Sequence, residues 1–190
     1  MDVLELLYDY FEDRARATAL IRRHRPFVLG LLGALAGGSS LFFAEALSGK
    51  LTLLSFSWPS FLLALMWQLT MLFFTTALLH LILDLTGARG GASALFVHLG
   101  LSELAWLAAV PAVLIAQILA PRSPWPVRLT FLGIGLWSWA LKARAMRDEY
   151  AVGEARAWVT LGLPYLALAA LAAVTTTLAL AALLVRAYSS

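Results

Sequence analysis

Five long apolar runs, at about 26–47, 60–83, 101–119, 127–141 and 157–185, limit this chain more than any other feature. A bilayer core about 30 Å thick is crossed by roughly 20 apolar residues in a helix. Inside it, only a helix or a closed barrel satisfies every backbone N–H and C=O group. The chain is 62% apolar and only 13% charged over 190 residues, about half the charged share of a soluble domain. A soluble fold of this size cannot hide that much apolar surface, whereas a bilayer acts as an apolar solvent for it. The expected fold is all-α: a polytopic transmembrane helical bundle of about five spans behind an N-terminal amphipathic interfacial helix. Residues 1–25 are assigned to that helix, 26–186 to the five-helix transmembrane domain and 187–190 to a tail.

Ahead of the first run, 2–25 reads as one amphipathic helix. Asp2, Glu5, Asp9, Glu12, Asp13 and Arg16 recur at steps of three and four on one face, and Leu4, Leu7, Tyr8 and Phe11 line another. The helix turns basic before Pro26, through Arg14, Arg16, Arg22, Arg23 and Arg25. That basic end is expected to sit at lipid headgroups; docking of the acidic face on a partner is the alternative. The acidic start has the wrong sign for the n-region of a cleavable signal.

Gly30, Gly33, Gly37 and Gly38 fall within the first run. Small residues spaced by four let a second helix approach closely, so Gly30, Gly33 and Gly37 are read as a helix-packing face. Glu45, near the far end, is expected to snorkel to the interface. The segment 84–100, with Gly87-Ala88-Arg89-Gly90-Gly91, is read as a cytoplasmic turn followed by a short interfacial helix. The fourth run is short and spans only with help from Trp125 and the stem of Lys142. A re-entrant hairpin there, giving four spans, is the topological alternative. Pro164 marks a kink point in the fifth span. On the five-span reading, ten of the 14 Lys and Arg residues lie in the first segment and in those after the second and fourth spans. This places the N-terminus in the cytoplasm. Arginine far outnumbers lysine, and alanine and leucine dominate, a bias typical of a bacterial coding sequence.

A charge at the bilayer centre costs roughly 2.5–3.5 kcal/mol on insertion scales, so polar groups near the spans are the first functional candidates. His80 and Asp84 lie four apart at the cytoplasmic end of the second run, on one face and within hydrogen-bonding reach. With Arg89, His98 and Glu103 they form the candidate polar cluster; Gln68 and Gln117 lie deeper. The set reads first as hydrogen-bonded groups fixing helix ends. A proton-linked His80–Asp84 pair and a zinc site from His80, Asp84, His98 and Glu103 are the sharper alternatives. Asp148, Glu149 and Glu154, with Arg147 and Arg156, are expected to form a solvated, charge-balanced loop. The absence of cysteine excludes disulfides and thiolate metal sites. No P-loop, G-x-S-x-G or H-E-x-x-H motif is present, so neither catalysis nor a metal or cofactor is expected. The basic residues are spread over loops, which argues against nucleic acid as a partner.

The stretch from His80 through Asp84 and Gly87-Ala88-Arg89-Gly90-Gly91 to Ser93 resembles the histidine and glycine-rich turn of the Yip-one (Ypt/Rab-interacting protein) domain family. Trp137 through Arg147, followed by 150–157, resembles that family's fourth span and the turn after it. Pro164 falls where the family often carries proline in its fifth span. The likeness covers about 1–185, mostly as hydropathy layout. It implies five transmembrane helices, a cytoplasmic N-terminus and, for a small bacterial member, a non-catalytic role, in some cases beside ABC-transporter components. The expected function is therefore a scaffold or accessory subunit in the bacterial cytoplasmic membrane, partnered by lipids and by another membrane protein or a second copy. The alternative is a small permease or lipid-moving transporter, proton-linked through His80 and Asp84.

Overall fold

A computed structural model of the chain describes residues 3–49 and 56–189. The described residues form helices joined by short turns, with no strand among them. Four helical stretches are long and apolar enough to cross a membrane: Phe27–Leu47, Trp58–Leu85, Ala92–Leu119 and Glu154–Ala182. An all-α fold with four such helices is the build of a membrane protein.

The N-terminal segment is two helices, not the single helix expected over 2–25. Helix α1 (Val3–Glu12) stops where Asp13 leaves helical geometry. Helix α2 (Arg14–His24) then begins with the Asp13 carboxylate accepting the Arg16 N–H at 3.2 Å, an ordinary N-cap. Leu6, Tyr10, Ala17 and Ile21 pack on Leu29, Ala94, Val97 and Leu101, while Leu4, Tyr8 and Phe11 stay exposed. Both apolar rows of α1 have helical spacing, so periodicity could not choose between them. Docking on the bundle does.

Helices α3 (Phe27–Leu47) and α4 (Trp58–Leu85) follow; residues 50–55 of the intervening loop lie outside the described residues. After α4 the chain turns at Gly87, whose φ of 79° suits a residue without a Cβ. The N–H groups of Gly87 and Ala88 return to the Asp84 and Leu83 carbonyls, both at 2.9 Å, and so satisfy the helix end. The next helix starts at Ala92, not Leu101. Helix α5 (Ala92–Ser102), a six-residue 3-10 segment (Glu103–Ala108) and α6 (Ala109–Leu119) form one 28-residue stretch. Residues 84–100 are therefore not a turn plus a separate interfacial helix. Every residue from Ala94 to Ser102 is buried, and a helix covered on all sides belongs to the core.

Helix α7 (Trp125–Tyr150) continues well past the apolar run that ends at Leu141. Its last turns carry Lys142, Arg144, Arg147, Asp148 and Glu149, which separates it from the four membrane-length apolar helices. The solvated loop expected at Asp148 and Glu149 is instead helix. Helix α8 (Glu154–Ser189) runs unbroken through Pro164 and takes in most of the expected tail.

Side-chain contacts set the directions. Gly30, Gly33 and Gly37 face Val97, Gly100 and Glu103 in that order, so α3 and the third span run parallel. Phe27 meets Phe73 and Phe42 meets Phe61, so α4 runs antiparallel to α3. Glu103 with Lys142, and Gly91 with Glu149, make α7 antiparallel to the third span. Arg156 on Thr86 and Tyr165 on Trp139 send α8 back along α7. Five helical stretches thus alternate in direction, as in an up-and-down bundle. The near end gathers the α2–α3 joint, the α4–α5 turn and the α7–α8 turn. The far end holds the end of α3, the start of α4 and the α6–α7 turn; there the Gln117 amide donates to the Leu47 carbonyl at 2.9 Å.

Candidate functional site

The third span and α7 share a seam of polar groups that runs inward from the near end. At its mouth, Glu149 is buried although it is a carboxylate. One of its oxygens accepts the Gly91 N–H at 2.9 Å, and the other meets Arg22 Nε at 3.0 Å. Arg22 Nη2 also donates to the Asp148 and Glu149 carbonyls at 2.8 and 2.5 Å. Carbonyls in the last turn of a helix lack intrahelical donors and carry its negative dipole end. The guanidinium therefore caps α7 from α2, while Glu149 caps the start of α5. One side-chain pair ties the N-terminal hairpin, the α4–α5 turn and α7 together.

His98 lies further along the seam and is buried; the Tyr10 hydroxyl donates to its backbone carbonyl at 3.1 Å. Ser102 follows, with its hydroxyl on the Leu99 carbonyl at 2.6 Å. Then comes an ion pair: Lys142 Nζ lies 2.6 Å from Glu103 Oε1, with 17% and 6% of the two side chains exposed. An added Cβ on Gly37 would sit 2.7 Å from the Glu103 carbonyl carbon. Gly37 is the middle residue of α3, so Glu103 stands at mid-height of the first span rather than at the end of the third. Ser138, one turn along α7 from Lys142, is also buried. Taking two charges out of water costs several kcal/mol each, which their attraction offsets only in good geometry. The short, shielded contact meets that condition.

The five residues singled out in the sequence do not form one cluster. The His80 ring Nδ1 lies 2.6 Å from the Tyr150 hydroxyl, not on Asp84. Tyr150 lies beyond the apolar part of α7. Burial first, then the Glu149 and Asp84 carboxylates, push its hydroxyl above the ordinary phenol range. The phenol therefore stays protonated, and its oxygen shares a hydrogen bond with the His80 ring nitrogen. Asp84 and Arg89 are exposed at the near end, and Glu103 belongs to Lys142. Among the described residues, no three His, Asp or Glu residues converge to hold a metal ion. Gly30, Gly33 and Gly37 lie directly against the backbone of the third span.

Sequence reasoning missed Arg22, Glu149 and Tyr150. One signal was available: Ser138, Lys142, Ala145 and Glu149 recur at steps of three and four, so they share one face of a helix that continues past the apolar run. On the opposite side of the bundle, a groove of about 580 Å³ opens between α3 and α4, with Glu45 and Gln68 among its lining residues. The chain matches no protein-family model, no curated protein and no solved structure.

Proposed function

We propose that this chain is a non-catalytic, five-span scaffold or accessory subunit of a membrane complex, with its N-terminus in the cytoplasm. The observation that carries the reading is α8. Its most apolar 18-residue window has no buried residue. Among its described residues the buried ones, Ala157, Thr160 and Leu161, lie at its start, where Tyr165 also meets Trp139. In a bilayer, helices associate by packing through small residues, and Ala169, Ala173, Thr177 and Ala181 form such a row along exposed α8. A helix so placed is suited to another membrane protein or to a second copy.

The alternating directions of the five helices support α7 as a further crossing beside the four membrane-length apolar helices, which makes five. The concentration of Arg and Lys at the near end supports a cytoplasmic location for that end. The exposed row Leu4, Tyr8 and Phe11 supports contact of α1 with the membrane surface. Membership of the Yip-one family is consistent with this layout and is part of the proposal, as is a bacterial cytoplasmic membrane.

The test is a photo-crosslinking residue at Ala173 in the intact membrane, together with the mass of the particle extracted in mild detergent. A specific protein adduct, with a particle heavier than one chain, is expected. Lipid adducts alone, on a monomeric particle, would overturn the scaffold reading. A second reading, a permease or lipid-moving transporter, is favoured by the α3–α4 groove rather than by His80 and Asp84.

A further inference from the structure

We infer that a groove between α2 and α7, at the near end, binds a lipid headgroup that joins a phosphodiester to a primary ammonium, as in phosphatidylethanolamine. The inference rests on α7 crossing the bilayer, and not on the scaffold role. The groove has a volume of about 480 Å³, within the range of pockets that hold small molecules. Ala15, Thr18, Ala19 and Arg22 line it from α2, and Arg147 and Asp148 from α7. The α2 residues recur at steps of three and four, so they share one helical face. The two alanines leave the space open, and the buried Thr18 brings a hydroxyl to the wall.

The lining carries both signs of charge. Arg22 uses Nε and Nη2 on Glu149 and on the last carbonyls of α7, which leaves Nη1. Arg147 uses Nε alone, 3.2 Å from Asp148 Oδ1, which leaves both terminal nitrogens. The two side chains are 49% and 43% exposed, so a ligand can reach them. Guanidinium forks match the oxygens of a phosphate. An exposed ion pair such as Arg147–Asp148 contributes little by itself, so Arg147 can exchange it for a phosphate oxygen. Asp148 is the acidic residue among those lining the groove. A carboxylate at that place repels a purely anionic headgroup and accepts N–H bonds from a primary ammonium. A trimethylammonium has no N–H to donate, so a choline headgroup gains less.

The location fits such a ligand. Arg147 lies beyond Leu141, where the apolar run of α7 ends, by about 9 Å along the helix axis. The headgroup layer of each leaflet is roughly 5–8 Å deep, so the groove stands at the level of lipid phosphates. Ala15 and Ala19 are exposed, which leaves the groove open to a headgroup from outside the bundle. Arg23, Arg25 and Arg144 are also exposed at the near end. They attract phosphate-bearing lipids in general, and Asp148 selects among those lipids at the groove.

The test equilibrates the purified full-length chain, in mild detergent, with equal amounts of phosphatidylethanolamine, phosphatidylcholine and phosphatidylglycerol of the same acyl chains. Native mass spectrometry reads which lipid is retained. Retention of the ethanolamine lipid about fivefold above each of the others is expected. Asp148→Asn removes the charge but keeps the shape, and should shift the preference to phosphatidylglycerol. Ala19→Trp fills the groove without changing its charge, and should abolish the enrichment. Helical circular dichroism and a monodisperse elution profile confirm that each variant is folded. Equal retention of the three lipids, or a folded Asp148→Asn with unchanged preference, would overturn the inference. Displacement of the lipid by millimolar free phosphoethanolamine would assign the groove to a soluble ester and overturn the lipid assignment. The crossing of α7 is read separately, because the chain has no cysteine of its own. Ser123→Cys and Gly153→Cys should react with an impermeant maleimide from opposite sides of sealed vesicles. Reaction of both from one side would refute the crossing, and the inference with it. Failure of the lipid test alongside a protein adduct at Ala173 would remove the groove and leave the scaffold reading standing.

Discussion

Replacing Gly37 by alanine adds a single methyl group, yet the structure gives it no room. The new Cβ would lie 2.7 Å from the carbonyl carbon of Glu103, and closer still to its oxygen. Those are backbone atoms, so no side-chain rotation relieves the clash. Ordinary contact needs about 3.5 Å or more, which means α3 and the 3-10 segment must separate by about an ångström. The same shift pulls on the Lys142–Glu103 pair, now at 2.6 Å, and on the Gly33–Gly100 contact one turn away. Overpacking of this kind costs about 1–3 kcal/mol; with rigid backbone on both sides, the upper half of that range is expected. For a chain of this length, that corresponds to a fall in melting temperature of roughly 5–10 °C. The measurement is thermal unfolding in detergent, followed by circular dichroism. Gly133→Ala is the matched control: its Cβ would meet nothing within 4 Å, and alanine is the better helix former by about 1 kcal/mol. The control should be neutral or slightly stabilising. If Gly37→Ala melts with the control, α3 does not pack on the third span as described.

Other consequences follow from the polar seam. Breaking the buried pair from one side, by Lys142→Met or Glu103→Gln, should destabilise by about 3–5 kcal/mol, and the double variant should recover much of the loss; additive single effects in a double-mutant cycle would show that the pair is not formed. Arg22→Gln removes the clamp on α7 and should speed tryptic cleavage after Arg23 severalfold, leaving overall helicity unchanged; equal cleavage rates would place the clamp elsewhere. The raised ionisation of Tyr150 has a definite sign. Its contribution is complete below the ordinary phenol value of about 10 and falls above it, because the unfolded chain then releases a proton that the folded chain retains. Stability measured against pH should therefore decline on the alkaline side, and Tyr150→Phe should flatten that decline while losing the bond to His80.

The sequence by itself determined that this is an all-α protein with membrane-length apolar helices, since bilayer thickness and backbone hydrogen bonding leave few other outcomes for such runs. It also marked Gly30, Gly33 and Gly37 as a row of small residues, because spacing along one helix is a local property. Tertiary structure alone decided what those residues touch. Residues 92–100 were misplaced because a helix buried on every side carries no amphipathic period, and the glycine-rich turn before it read as a longer interruption. Leu6–Tyr10 and Leu4–Tyr8–Phe11 both have helical spacing in the N-terminal segment, and only contact with Ala94 and Val97 selects the row that packs on the bundle. Charges behaved likewise. Glu103 sought Lys142, Glu149 sought Arg22, and His80 found Tyr150 rather than the nearby Asp84. Those partners are 39, 127 and 70 residues distant, beyond any periodicity. The apolar runs set how many helices form; the close fit of their backbones, and the need to pair each buried charge, set how they assemble.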